Sequence, residues 1–227
     1  MQILNLINKE KSDIDYSISR FPDGEVQITL GEFSHKDGIA ILCRITNAEE
    51  FFLLMQVCDI LRRHGIGFVI SIYYLMSMRM DRVMSFDRPF SLSIVCNVLD
   101  SLGAMRIGLY CPHSAEYVRF FQHTKVVEIS SIIKTNWLQY QLVFPDKGAR
   151  DRYSSSTPIG KYVFGTKFRD LATGKITSID IENPDDIDGR PLLIRDDLCD
   201  GGGTFLGLAK AIREIKPDAK ISIFVDH

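Results

Sequence analysis

The 227-residue sequence is most restrictive in what it lacks. Its five cysteines, Cys43, Cys58, Cys96, Cys111 and Cys199, form no Cys-x-x-Cys pair and show no zinc-finger spacing. The odd count and scattered placement exclude a disulfide framework and point to a reducing, cytoplasmic setting. Most of these thiols lie inside apolar runs, where cysteine behaves as a small buried hydrophobe. There is no long hydrophobic run. Met1–Ile7 is apolar but soon meets Lys9, Glu10 and Lys11, too short for a signal peptide or a membrane span. Charge of one sign is also absent: 27 Lys and Arg stand against 29 Asp and Glu, for a net charge of −2. That balance excludes a global attraction to nucleic acid or to an anionic membrane, and leaves room only for a local basic pocket. No solenoid-type repeat and no low-complexity linker is visible.

What is present is an alternation of short apolar runs with longer periodic ones, the pattern of βα units around a mainly parallel sheet. Strands are predicted at Met1–Ile7, Gly38–Arg44, Gly67–Tyr73, Arg106–Cys111, Leu142–Phe144, Tyr162–Thr166, Leu192–Ile194 and Lys220–Val225. Helical spacing predicts helices over Glu49–His64, Phe90–Leu102, Ala115–Phe121, Ser130–Gln139 and Thr204–Ile215. A boundary near 127–132 divides the chain into two α/β domains, 1–129 and 130–227. Asp170–Asp188 is polar and holds Gly174 and Pro184; it reads as a mobile loop or hairpin, and its charge fits a surface flap better than a core element.

The most telling stretch runs from Leu192 to Thr204. An apolar strand ends in Asp196 and Asp197, Asp200 follows, and Gly201, Gly202 and Gly203 lead into a helix opened by Thr204. A glycine-rich loop before a helix places backbone N–H groups where a phosphate can sit. The neighbouring carboxylates suit sugar hydroxyls or a bridging magnesium ion; a solvated βα turn with acidic caps is the plainer reading.

Four further segments carry candidate chemistry. Phe21-Pro22-Asp23-Gly24-Glu25 is, by itself, a turn between strands. Arg79-Met80-Asp81-Arg82 follows an apolar strand, where ligands bind in open α/β sheets. Two arginines there suit a polyphosphate, although a solvated strand-to-helix loop accounts for them equally well. Cys111-Pro112-His113-Ser114 also ends a strand, so His113 is either structural or a ligand contact. The fourth segment runs from Pro145-Asp146-Lys147-Gly148-Ala149 to Arg152 and on to Lys167-Phe168-Arg169-Asp170, although Pro145–Gly148 by itself reads as a turn. Lys167 and Arg169 alternate at a strand end, so both side chains are expected on one face, either as a solvated edge or as a cationic pair over a transferring phosphoryl group.

Taken together and in this order, these segments resemble the ribose-phosphate pyrophosphokinases over nearly the whole chain, from about residue 18 onward. The acidic–glycine loop alone would also fit type I phosphoribosyltransferases; Phe21–Glu25 and Arg79–Arg82 favour the pyrophosphokinases. The resemblance implies two Rossmann-like phosphoribosyltransferase-type α/β domains with mainly parallel sheets, binding ATP and a sugar phosphate between them. It implies that Phe21, Asp23 and Glu25 hold adenine from a neighbouring subunit of a homo-oligomer. Arg79, with Asp81 beside it, would meet the ATP phosphates, with His113 near Mg2+. Asp146 would help to hold metal and sugar, and Lys167 and Arg169 would form the catalytic cationic pair. Asp196 and Asp197 would hold the ribose hydroxyls, and Asp200, Gly201, Gly202, Gly203 and Thr204 the 5-phosphate. The reaction implied moves the β,γ-diphosphate of ATP to the anomeric hydroxyl of ribose 5-phosphate.

The chain also departs from the family pattern. Met80 stands for a glutamine, Cys111 for an aspartate and Val83 for a lysine, in the manner of a divergent, phage-encoded branch. Gly201 stands for the threonine that closes the phosphate loop, which opens ADP-ribose, as in NAD resynthesis, as an alternative acceptor. A non-catalytic synthetase-associated regulator is the alternative from another class. Val225-Asp226-His227 is similar to a strand that precedes a further family segment, so either this branch is short or the chain is truncated.

Overall fold

The computed structural model describes residues 1–129, 139–153, 162–169 and 176–227, with the side chains of Arg169 and Ile176 left aside. The chain divides into two compact units, Met1–Ser130 and Ser131–His227. Each has its own sheet and its own apolar core.

The first unit contains β1 (Gln2–Asn5), β2 (Tyr16–Arg20), β3 (Val26–Leu30), β4 (Ile39–Ile45), α1 (Ala48–Arg63), β5 (Phe68–Leu75), α2 (Ser91–Ser101), β6 (Arg106–Tyr110) and β7 (Lys125–Ile129). Its main sheet runs β1-β4-β5-β6-β7, and every pairing in it is parallel. Parallel neighbours require crossovers, which α1 and α2 supply. Alternate residues of β4 and β5 fill the interior: Ile39, Ile41, Cys43 and Ile45 from one, Phe68, Ile70 and Ile72 from the other. Burying each of the larger apolar side chains is worth about 1.5–3 kcal/mol.

Helix α1 starts where Asn47 accepts a hydrogen bond from the Glu50 N–H at 3.0 Å, while the Glu50 carboxylate reaches back to the Thr46 N–H and hydroxyl. That reciprocal arrangement satisfies amide groups the first turn leaves unpaired. Its buried face, Leu53, Leu54, Val57, Cys58 and Leu61, follows helical spacing. Strands β2 and β3 form a separate antiparallel ribbon. Gln56 of α1 ties that ribbon down, accepting from the Ile28 N–H at 3.0 Å and donating to the Val26 carbonyl at 2.8 Å.

The second unit contains β8 (Gln141–Phe144), α3 (Lys147–Tyr153), β9 (Val163–Arg169), β10 (Ile176–Ile181), β11 (Leu192–Asp196), α4 (Gly203–Ile215) and β12 (Ile221–Val225). Its sheet order is β10-β9-β8-β11-β12; only β10 runs antiparallel to its neighbour. Phe205, Leu208 and Ile212 form the buried stripe of α4 and pack with Val143, Val163 and Ile194.

The structure alters several sequence expectations. The surface flap expected at Asp170–Asp188 is in its described part a paired edge strand, β10, with Ile179 buried in the core of the second unit. The register irregularity between Ile176 and Ser178 breaks its alternation. Pro145-Asp146-Lys147-Gly148 is not a mere turn but the start of α3. Ala115–Phe120 is a 3-10 turn rather than an α-helix. The helix expected at Ser130–Gln139 lies outside the described residues as far as 138. Among the described residues, no helix is long and apolar enough to cross a membrane.

One polar cluster fixes the far edge of the first unit. Asp100, buried at the end of α2, accepts hydrogen bonds from the backbone N–H groups of Gln122, His123 and Thr124 and meets the His123 imidazole at 2.8 Å. Burial opposes its charge, but these donors outweigh burial and hold its carboxyl well below the usual range. Asp100→Ala is expected to destabilise the protein by about 2–4 kcal/mol, because buried donors lose a charged partner. Urea titration at neutral pH checks this, and the deficit should shrink as pH falls below the carboxylate range.

Candidate active site

In the first unit the candidate residues sit on three loops. The turn Phe21–Glu25 joins β2 to β3 and is closed by Gly24 N–H donating to the Phe21 carbonyl at 2.9 Å. Gly24 has φ +96°, a conformation that favours glycine. Arg20 braces this turn: it donates to the Gly24 carbonyl at 2.9 Å and forks onto the Glu49 carboxylate at 2.7 and 2.8 Å. Phe21, Asp23 and Glu25 are all exposed, and Phe21, an aromatic ring, is 48% exposed.

Arg79 and Asp81 follow β5, and His113 follows β6, so they lie beyond the carboxyl ends of neighbouring strands. Both connections contain a non-glycine residue in the left-handed region, Ser77 at φ +68° and Cys111 at φ +42°. Such backbone strain persists only where its surroundings enforce it. Cys111 is held by its N–H donating to the Ile129 carbonyl at 3.1 Å. Arg79 is exposed, whereas Asp81 and His113 are half-buried. Beneath them, Tyr73 and Tyr110 stack at 4.0 Å. Burial and the contact with Tyr73 push the Tyr110 phenol up to about 12.

In the second unit the acidic candidates come together with cations. Asp146, at the end of β8, caps α3 by accepting from the Ala149 N–H at 2.9 Å, and its other oxygen meets Lys167 Nζ at 2.9 Å. Burial opposes the Asp146 charge, yet Lys167 and the Ala149 amide keep its carboxyl below the usual range. Arg152, from the last turn of α3, donates to Asp197 at 2.6 Å and reaches Asp196 at 3.4 Å. All three side chains are largely buried. Asp196 is nonetheless pushed up to about 6, by burial first and then by Asp197 beside it. The backbone opposes the rise, since the Asp197 N–H donates to the Asp196 carboxylate at 2.9 Å and favours its charged form.

The loop beyond this pair is open. A Cβ on Gly201, Gly202 or Gly203 would meet nothing within 4 Å. Gly202, at φ +73°, is the N-cap of α4 and, as glycine, offers no side-chain cap of its own. A helix start of this kind can take an anion on its first N–H groups. Asp200 is exposed, and Thr204 lies in the first turn of α4. At the strand side, His227 N–H donates to the Asp197 carbonyl at 2.9 Å and its carbonyl accepts from the Cys199 N–H at 3.3 Å.

The structure thus brings Asp146 together with Lys167, and Asp196 and Asp197 together with Arg152. The Arg169 side chain lies outside the description, so the expected alignment of Lys167 with Arg169 is not defined. Arg152 ends the fourth candidate segment but was given no role in the sequence reading, and Tyr153 escaped it. Their signal was there: an aspartate N-cap at 146 followed by a cationic turn reads as a short helix. Arg195, a charge inside an otherwise apolar strand, was a second signal. Among the described residues, no three His, Cys, Asp or Glu side chains converge as a metal cage. Magnesium needs none, because it commonly takes one or two carboxylates and completes its shell with substrate oxygens and water. The hard oxygen donors of Asp146 fit that mode.

These features define a class: a two-unit α/β protein of phosphoribosyltransferase type. No family model matches the chain. A crystal structure of phosphoribosylpyrophosphate synthetase from Mycobacterium smegmatis shares the fold, with a TM-score of 0.70 over 96% of this chain and 73% of that one, at 20% identity. Curated relatives named ribose-phosphate pyrophosphokinase include those of Sulfolobus acidocaldarius, 25% identical over 91% of this chain and 76% of the relative, and Maricaulis maris, 25% over 92% and 70%. That of Pasteurella multocida is 28% identical over 88% and 67%. The chain is thus similar to ribose-phosphate pyrophosphokinases over most of its length.

Because the Asp196 carboxyl titrates higher in the folded protein than in the unfolded chain, the folded state holds its proton longer. Its contribution to stability is full below about pH 4 and is lost as pH rises through about 6. Denaturation measured across pH 4–7 should therefore show a smaller decline with rising pH in Asp196→Asn than in wild type.

Proposed function

We propose that this protein transfers the β,γ-diphosphate of ATP to the anomeric hydroxyl of ribose 5-phosphate, releasing AMP and phosphoribosyl pyrophosphate. The observation that carries this reading is the glycine N-cap of α4, in a glycine loop immediately beyond a buried aspartate pair. The loop 200–204 takes the 5-phosphate through backbone N–H groups, and Asp196 and Asp197 accept hydrogen bonds from the ribose hydroxyls. For this to happen, Arg152 yields part of its hold on the pair.

Phe21 offers an aromatic face to adenine, Asp23 and Glu25 accept from its polar edge, and Arg79, with Asp81, orients the phosphates. The exposure of the Phe21 turn supports its use by a second copy of the chain in a homo-oligomer. Asp146 and His113 would hold Mg2+, which when bound neutralises charge on the phosphate oxygens. In the reaction an O–P bond forms between the anomeric oxygen and the β-phosphorus. The bond from that phosphorus to the α-phosphate oxygen breaks, and the hydroxyl proton is released. Lys167 and Arg169 balance charge on the departing AMP; positioning and charge balance carry most of the acceleration.

Gly201 favours keeping a second acceptor in view. The open space around it leaves room for an esterified 5-phosphate, as in ADP-ribose, which the same chemistry would pyrophosphorylate. Incubation with ATP, Mg2+ and either acceptor, followed by chromatography for AMP, tests both. AMP formed stoichiometrically with phosphoribosyl pyrophosphate is the expected result, and Lys167→Ala should lower kcat by about 100- to 1,000-fold. Turnover of ADP-ribose alone would transfer the assignment, and inactivity toward both would favour a non-catalytic regulator.

A further inference from the structure

Behind the aspartate pair lies a second layer of polar groups that the proposed chemistry does not use. Arg195 is the residue before Asp196 on β11 and is only 2% exposed. Its guanidinium carbon stacks over the Tyr153 ring at 3.8 Å and lies 5.6 Å from the Phe224 ring. A desolvated guanidinium over an aromatic face is held by the ring's negative face. Tyr153 is also buried, and its hydroxyl donates to Asp226 at 2.7 Å. Arg152, the preceding residue of α3, lies with its guanidinium carbon 5.8 Å from the Tyr153 ring centroid and donates to Asp197.

These contacts join three elements of the second unit. Arg152 and Tyr153 come from the end of α3, Arg195 from β11, and Asp226 from the residue after β12; the resulting chain runs from Asp226 through Tyr153 and Arg152 to Asp197 and Asp196. Direction within it is set by chemistry. Burial first, and then the charge of Asp226, push the Tyr153 phenol far up, so it stays protonated and serves Asp226 as a donor. The ring is thereby held beside the Arg152 guanidinium. The ring is gripped by Arg195 on its face, which removes the rotational freedom that would let Arg152 drift. Asp226 is adjacent to His227, whose backbone pins both Asp197 and Cys199, so the same strand end sets the anchor and the loop.

We infer that Tyr153, clamped between Arg195 and Asp226, is the positioning residue that fixes Arg152 on the aspartate pair and so sets the geometry of the sugar-side site. This rests on the proposed reading of Asp196 and Asp197 as the ribose-binding pair. Tyr153 does not touch substrate; it acts through Arg152. A residue with a merely structural role would lower stability and affect both substrates alike.

The test uses the full chain with Tyr153→Phe, Asp226→Ala, Asp226→Asn and the Tyr153→Phe/Asp226→Ala double variant. Tyr153→Phe and Asp226→Ala should each raise the KM for ribose 5-phosphate by about 10-fold, the worth of a hydrogen bond to a charged partner. The KM for ATP should stay within about twofold, and the double variant should be no worse than the poorer single one, as for residues of one network. Asp226→Asn, which keeps an acceptor for the hydroxyl, should recover most of the loss. The second readout needs no turnover: the side-chain N–H signal of Arg152 in 15N NMR, identified by its absence from Arg152→Lys, should shift in Tyr153→Phe without any substrate. Equal effects on both KM values, or an unmoved Arg152 signal, would overturn the inference. Should the wild-type protein turn over no ribose 5-phosphate, the functional reading falls, and the Arg152 signal alone decides for or against the clamp.

Discussion

The second unit is organised around the contact of Arg152 with Asp196 and Asp197. Two adjacent carboxylates at a buried strand end repel each other and lose hydration, and the rise of the Asp196 carboxyl to about 6 registers both costs. A single guanidinium from α3 offsets them, forming 2.6 and 3.4 Å contacts. For this to work, α3 must start at a fixed point, which the Asp146 cap provides, and β8 must lie beside β11, which parallel pairing provides. Replacing a buried ion pair with apolar residues is often neutral or stabilising, so its retention suits a site better than a stability device. In our reading the pair is kept because the acceptor sugar needs two oriented carboxylates, and the cation holds them in place until it arrives.

The anion-binding half of the site has a different physical origin. It needs no charge, only the geometry of a helix that begins at a glycine N-cap. Gly202 takes a left-handed conformation, and Gly201 and Gly203 keep the approach clear. Acidic pair and glycine-capped helix follow one another within nine residues of sequence, 196 to 204, so one strand–loop–helix unit presents hydroxyl acceptors and phosphate donors side by side. The first unit places its candidates differently, on connections with left-handed residues at Ser77 and Cys111 beyond the ends of β5 and β6.

How much of this could be read from the sequence depends on where the partners lie. Local patterns were legible. The alternation of Ile39–Ile45, the helical spacing of Leu53 to Leu61 and the glycine run before Thr204 each encode their element within a short window. So did the α/β class, because apolar runs alternate with periodic segments. β10 was hidden because a register irregularity between Ile176 and Ser178 breaks its alternation and the segments around it are polar, although Ile179 faces the core. α3 was hidden because Pro145-Asp146-Lys147-Gly148 imitates a turn, and only the Ala149 amide on Asp146 shows that the aspartate caps a helix. The site contacts were harder still. Arg152 and Asp197 are 45 residues apart in sequence, and Tyr153 and Asp226 are 73 apart. No local rule joins residues at that separation; only the sheet order brings α3, β11 and β12 together.

The central claim is that the aspartate pair and the glycine loop together form the acceptor site. A crystal structure of the protein with ribose 5-phosphate tests it most directly. The account predicts the phosphate against the backbone N–H groups of 201–204, with ribose hydroxyls hydrogen-bonded to Asp196 and Asp197 and Arg152 displaced from at least one of them. A sugar phosphate bound elsewhere, with Arg152 unmoved on both carboxylates, would contradict it.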